Sequence, residues 1–233
     1  MSDDKNLHAG HRDRVKNRFI ANGFEGFDDH QVLEMLLFYC YSPRLDTNEL
    51  AHKMINQYGS LHNLLDANPL EISQKCKVTK HVAVLVSMVP HLSKHYNLSK
   101  WKKGAARLMT SAQAGEYCTS LFMGEVNECM YLICLNQQRY IISAEKISEG
   151  SISQTVVYPR HIIQVALRHR AVAVIIAHNH PGGSLAPSKS DLDLTQQIIK
   201  TLSSIDINVE DHIIVAGESY HSFSEKKSLP YWY

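Results

Sequence analysis

The sequence predicts an α+β protein in two parts, a helical domain over residues 1–102 and a mixed β-sheet flanked by helices over 103–233. Apolar residues recur at helical spacing in the first part, and short runs rich in β-branched residues alternate with helical segments in the second. A polar, basic stretch lies between the two patterns.

In the first part, HQVLEMLLFYC (30–40) places apolar side chains three and four residues apart, as do Leu50, Met54, Ile55 and Tyr58. Leu61–Leu65 and Val82–Val89 supply further apolar faces, and Pro43, Gly59 and Pro69 interrupt the pattern at intervals of one helix. A compact domain of about four or five helices follows. Lys94–Arg107 is polar and basic without an apolar period, which predicts a connecting segment and a boundary near residue 103.

In the second part, MYLICL, RYIISAEKI, VAVIIAH and DHIIVAG read as strands, and Ser111–Phe122, Pro159–Arg170 and Ser188–Ser204 as helices between them. Only Asn136–Arg139 separates the first two strands, too little chain for a crossover, so that pair is an antiparallel hairpin and the sheet is mixed.

Composition narrows the function classes. With 44% apolar and 20% charged residues the chain is an ordinary globular one, which excludes collagen-like and low-complexity readings. A net charge of +1 exerts no global pull on nucleic acid, so any such role needs a local patch. Cys40, Cys76, Cys118, Cys129 and Cys134 include no C-x-x-C pair, against a disulfide framework or a zinc knuckle, and are expected to be reduced thiols. The longest apolar stretch, Ala171–Ala177, is far short of the roughly 18–20 residues of a membrane helix. The N-terminal MSDDKNLHAGHRDR has no signal-peptide core, so a cytoplasmic protein without a membrane partner is expected.

The chemistry concentrates in AVAVIIAHNHPGGSLAPSKSDLDLTQQIIKTL, where His178, His180, Ser188 and Asp191 form H-x-H-x7-S-x2-D. Side chains at i and i+2 of a strand share a face, so His178 and His180 bring two imidazoles to one point at the strand's end. The loop Pro181–Pro187 reverses the chain, and a helix starting near Ser188 directs Asp191 in its first turn back toward that point. Two histidines and a carboxylate are three metal ligands, the number that catalytic zinc sites provide while leaving a fourth position for water. Ser188 and Asp191 also read as a capping box, which is compatible with ligation. The H-x-E and P-C-x-x-C elements of a zinc nucleoside deaminase are absent.

H-x-H-x7-S-x2-D after a β-strand resembles the JAMM (MPN+, JAB-like) metalloprotease domain. With Gly150, VVYPRHIIQVAL, AHNHPGGSLAPSKSD and DHIIVAG, the text over about 110–225 looks like its bacterial RadC branch. The resemblance implies an MPN/JAB-like fold and one zinc ion held by His178, His180 and Asp191, with Ser188 donating to the oxyanion of a tetrahedral intermediate. It also implies a glutamate general acid/base before the first core strand, where Glu128 in NECMYLICLN matches; Glu125 and Glu145 are the alternatives. Gly182, where relatives commonly carry Ser, Tyr158, His161 and the terminal SLPYWY depart from the pattern without removing a ligand.

GHRDRVKNRFIANGFEGF and LEMLLFYCYSPRLDTNELAHKMINQYGSL resemble the helical domain that precedes the metal domain in RadC-like proteins. In relatives that domain ends in a helix-hairpin-helix-like turn with a G-x-G core that approaches DNA phosphate, but Lys77-Val78-Thr79 stands here and both glycines are absent. Lys75, Lys77, Lys80 and the cluster Arg12, Arg14, Lys16 and Arg18 are the remaining candidates for phosphate contacts. Two functions are therefore expected. The first is a zinc-dependent hydrolase of peptide or isopeptide bonds in a peptide or protein substrate. The alternative is a DNA-associated binding or repair-accessory protein in which the metal domain is a noncatalytic scaffold.

Overall fold

The computed structural model describes residues 10–43, 45–101, 106–150 and 159–227. The expected boundary near residue 103, Tyr158 and the terminal SLPYWY lie outside them. The chain forms two compact units, 1–92 and 93–233. Among the described residues, no helix is long and apolar enough to cross a membrane.

In the first unit the helices are α1 (His11–Asn22), α2 (Asp29–Leu37), α3 (Thr47–Tyr58), α4 (Leu61–Leu65), α5 (Pro69–Cys76) and the start of α6 (Lys80–Ser99). The breaks fall where the sequence chemistry puts them. Asp28 and Gln31 form a capping box on α2, Asp46 accepts from the backbone of Asn48 and Glu49 to start α3, and Asn68 with Pro69 starts α5. Leu33, Leu37, Met54, Leu64, Ile72, Val82 and Val86 pack as one core. Glu34 is buried beneath them and accepts from His11 Nε2 at 3.0 Å and Asn48 Nδ2 at 3.2 Å, which satisfies its charge.

The stretch expected to be a connector is structured. Helix α6 continues to Ser99, and the unit boundary falls inside it, between Leu92 and Ser93. Within the second unit Leu98 and Trp101 pack on the core, Trp101 edge-on to Tyr117 at 5.7 Å, and Lys94 pairs with Glu125 at 2.7 Å. Two apolar anchors among lysines are enough to seat a segment whose composition reads as solvated.

The second unit continues with α7 (Ser111–Phe122), β1 (Cys129–Leu135), β2 (Ile141–Glu149), α8 (Pro159–Arg168), β3 (Ala173–Asn179), α9 (Lys189–Ser203), β4 (Asn208–Ala216) and β5 (Ser219–Ser222). The sheet order is β2-β1-β3-β4-β5, antiparallel except for the β3–β4 pair, so the expected mixed sheet is present. In the hairpin turn the Asn136 carboxamide oxygen accepts from the backbone of Gln138 and Tyr140, and Arg139 takes the left-handed φ of 63°. The short β5 has no apolar run to announce it and was not expected.

Alternation sorts each strand between two layers. Cys129, Ile133, Leu135, Ala173, Ile175, Ala177, Ile213 and Val215 face α7, while Met130, Leu132, Cys134, Val174 and Ile176 face α8 and α9. Each fully buried aliphatic side chain contributes about 1.5–3 kcal/mol. All seven residues of the central strand β3 are buried. The β3–α9–β4 crossover then sets the N-terminus of α9 at the C-terminal end of β3.

Candidate metal centre

His178 falls on the same face of β3 as Val174 and Ile176, the face that α9 covers, and His180 follows two residues later. Asp191, Thr195, Ile198 and Leu202 are the buried residues of α9, spaced by four, three and four, so Asp191 heads the inward stripe. The sheet and helix thereby bring together the three residues the sequence nominates. One ligand atom from each of His178, His180 and Asp191 lies within 4.8 Å of the others. His178 Nε2 is 2.9 Å from His180 Nε2 and 3.3 Å from Asp191 Oδ1, and His180 Nε2 is 3.6 Å from Asp191 Oδ2.

The remaining atoms of these side chains are engaged away from the centre. His180 Nδ1 lies 2.7 Å from the Ser184 carbonyl, which can only accept, so the proton of a neutral His180 sits on Nδ1 and Nε2 is bare. Asp191 Oδ2 accepts from the Ser188 backbone N–H at 2.7 Å and its hydroxyl at 2.6 Å, and the Asp191 backbone N–H donates to Ser188 Oγ at 3.2 Å. The capping box is thus real and directs the carboxylate at the same time. Burial would raise the Asp191 carboxyl, but the proximity of the His178 ring and the hydrogen bonds that Ser188 donates outweigh that and hold it well below the usual carboxylate range.

A carboxylate and two imidazole nitrogens facing one another within a buried space repel unless a cation lies between them. Two nitrogen donors and one oxygen donor are a set that a divalent transition metal takes. The group can therefore hold a metal ion.

Glu128 is half-buried just before β1, and its carbonyl accepts from the Gly150 backbone at 2.7 Å. Met130, which pairs with His178 across β1 and β3, follows Glu128 by two residues, so strand alternation carried back to Glu128 gives it the parity of the face that carries the histidines. The two other carboxylates are committed elsewhere. Glu125 pairs with Lys94 and Lys146, and Glu145 with Arg168 and His169. Ser188 is beside the ligands, with its hydroxyl on Asp191 Oδ2 and 2.8 Å from Ser190 Oγ.

Three residues near the centre escaped sequence reasoning. Asn179 points to the opposite face, where its Oδ1 accepts from the Cys129 backbone at 2.7 Å and its Nδ2 donates to the Asn127 carbonyl at 2.9 Å, clamping the segment that carries Glu128. Fully buried Thr195 and His212 lie behind His178. Burial, then the neighbouring His178, holds His212 well below the ordinary imidazole value. The alternation of β4, which sends His212 and Ile214 to one face, is the signal that nominates His212.

The basic candidates of the first unit make their contacts within it. Arg12 donates to the carbonyls of Tyr41 and Ser42, both at 2.8 Å, and stacks 5.0 Å from the Phe38 ring centre. Arg18 donates to the Gly26 carbonyl and lies 4.3 Å from the Phe27 ring centre, while Lys16 lies 5.8 Å from that of Tyr39. Arg14 is exposed on α1. Without the glycines, Lys77 itself takes the left-handed turn between α5 and α6 with φ 54°, a conformation that costs a non-glycine residue about 1–2 kcal/mol, and Val78 fills the core.

Residues 108–228 match the family of RadC-like JAB domains. Over the longer chain, the UPF0758 protein FN0909 of Fusobacterium nucleatum is 32% identical across 97% of this chain and 99% of its own. A UPF0758 protein of Janthinobacterium sp. (strain Marseille) is 32% identical across 94% and 96%.

Proposed function

We propose that this chain, which belongs to the RadC family and carries its JAB-like domain, is a zinc-dependent hydrolase of peptide or isopeptide bonds. One observation carries the reading: the converging His178 Nε2, His180 Nε2 and Asp191 carboxylate, three Lewis bases within 4.8 Å. Three protein ligands are the count of a catalytic zinc site, which keeps a position for water. A bound zinc would polarise the scissile carbonyl and lower the pKa of water from 15.7 to about 7.

The chain's own residues supply the rest. Glu128, two residues before the Met130 that pairs with His178, takes the proton of the attacking water and passes it to the leaving amine. The Ser188 hydroxyl turns about its C–O bond from Asp191 Oδ2 toward the developing oxyanion and steadies it. Asn179 holds the Glu128 segment against the end of β3, which keeps the base at the histidine face.

The test is metal stoichiometry by plasma mass spectrometry on the full chain, followed by a peptide and isopeptide screen. About one zinc per chain is expected, lost in His178→Ala and Asp191→Ala. Glu128→Gln is expected to keep zinc while losing about 10²–10⁴ in turnover. A folded chain that takes no zinc when it is supplied overturns the proposal.

A further inference from the structure

Behind His178 a line of buried polar groups runs through the layer between sheet and helix. His178 Nδ1 is 2.8 Å from His212 Nε2. The other ring nitrogen of His212 meets the Thr195 hydroxyl, which in turn meets the main-chain carbonyl of Asp191. The line starts on one proposed ligand and ends on the backbone of another.

Its last link sets every proton direction in it. A carbonyl only accepts, so the Thr195 O–H points at Asp191, and the Thr195 oxygen is left to accept from His212 Nδ1–H. Carrying its one proton on Nδ1, His212 offers a bare Nε2, so the proton shared with His178 belongs to His178 Nδ1. His178 protonated there has Nε2 bare, facing His180 and Asp191. His180 reaches the same tautomer directly, through the Ser184 carbonyl.

We infer that Thr195 and His212 are positioning residues, a relay that fixes the His178 tautomer and presents its Nε2 lone pair to the metal. The inference rests on the metal centre proposed above. It assigns a purpose to a polar line that is buried at the cost of desolvation, and it places a determinant of metal affinity on Thr195, whose hydroxyl bonds to His212 and to the Asp191 main chain. The face of Phe223 stacks on the His212 ring at 4.7 Å, which keeps the ring from rotating out of the line.

Valine has the shape of threonine but neither donates nor accepts, so Thr195→Val keeps the packing and cuts the relay. His212 then lacks an acceptor for Nδ1–H and is driven to the other tautomer, whose Nε2–H forces the His178 proton onto Nε2. The experiment is competition for zinc against a chromophoric chelator with the full chain, with thermal melting of the chelator-stripped proteins as the fold control. Thr195→Val should bind zinc about 10–100-fold more weakly than wild type at similar stripped-protein stability, while Thr195→Ser, which restores the hydroxyl, should bind within about threefold of it. Equal affinity of wild type and Thr195→Val, or equal weakening by Val and Ser, overturns the relay.

A second pair covers the case in which Thr195→Val does not fold. His212→Gln keeps an oxygen that can accept from His178 and should hold zinc more tightly than His212→Leu; equal affinities overturn the inference. Wild-type protein that takes no zinc overturns the metal centre and the relay with it. Wild type that binds while the variants are unaltered overturns the relay alone.

Discussion

Asp191→Asn separates the two roles of the residue, because the amide keeps the shape of the carboxylate while removing its charge. The Asn oxygen can stand where Oδ2 stands and still accept from the Ser188 N–H and hydroxyl, so the helix start survives. Its NH₂ then occupies the position of Oδ1, 3.3 Å from His178 Nε2, and donates to a lone pair that faces a carboxylate in the native chain. Losing the anion at the start of α9 costs about 0.3–1 kcal/mol through the helix dipole, and the new donor offsets part of that. The metal-free variant should therefore melt close to the metal-free wild type. Zinc at a hundred times its Kd adds about 2.7 kcal/mol to the wild type. At about 2–4 °C per kcal/mol for a chain of this size, that is a rise of about 5–11 °C, and the variant should show none of it. The assay is calorimetry of both proteins with chelator and with zinc. A variant that zinc still stabilises by several degrees would show that Asp191 caps the helix and does no more, and one markedly less stable than wild type in chelator would show that the amide does not preserve the cap.

Further outcomes follow from other contacts. A Cβ on Gly115 would lie 2.4 Å from Tyr220 ring atoms, so Gly115→Ala should destabilise by about 1–3 kcal/mol despite the helix-propensity gain of about 1 kcal/mol, as read by urea melts. Pairing it with Tyr220→Leu should recover most of the loss. Burial would raise the Glu125 carboxyl, but its bonds to Lys94 and Lys146 hold it below its ordinary value. Its contribution is thus complete above the unfolded value of about 4.3 and lost as pH falls through the lower folded one. The stability gap between wild type and Glu125→Gln should accordingly shrink as urea melts are taken from pH 6 toward pH 3, and a constant gap would refute the pairing. Arg12→Met, which removes the donors to the Tyr41 and Ser42 carbonyls, should destabilise the first unit by about 1.5–3 kcal/mol in the same assay; an unchanged midpoint would return Arg12 to the solvent-facing basic set.

The periodicities carried most of the fold. VAVIIAH and MYLICL read as strands because they are short apolar runs rich in β-branched residues, and the start of α7 falls at Ser111 because Thr110 caps it through the Gln113 N–H. The polar run from Lys94 misled because composition averages over Leu98 and Trp101, the two residues that seat it. Strand β5 was invisible because Ser219–Ser222 gains its place from pairing with Ile213–Ala216, a non-local partner.

The ligand triad was legible because all three of its residues lie within one strand–loop–helix passage, where strand period and first-turn position are local properties of the chain. The sequence by itself thus determined the two-part α+β architecture and which three side chains converge. The tertiary structure alone decided what stands around them: Asn179 clamping the segment of Glu128, the ion pairs that engage Glu125 and Glu145, and the line from His178 through His212 and Thr195 to the Asp191 carbonyl. Apart from the Thr195–Asp191 link inside α9, these contacts join residues 17 to 52 positions apart, brought together by sheet register and by the crossover of α9, and no local pattern in the chain encodes such a pairing.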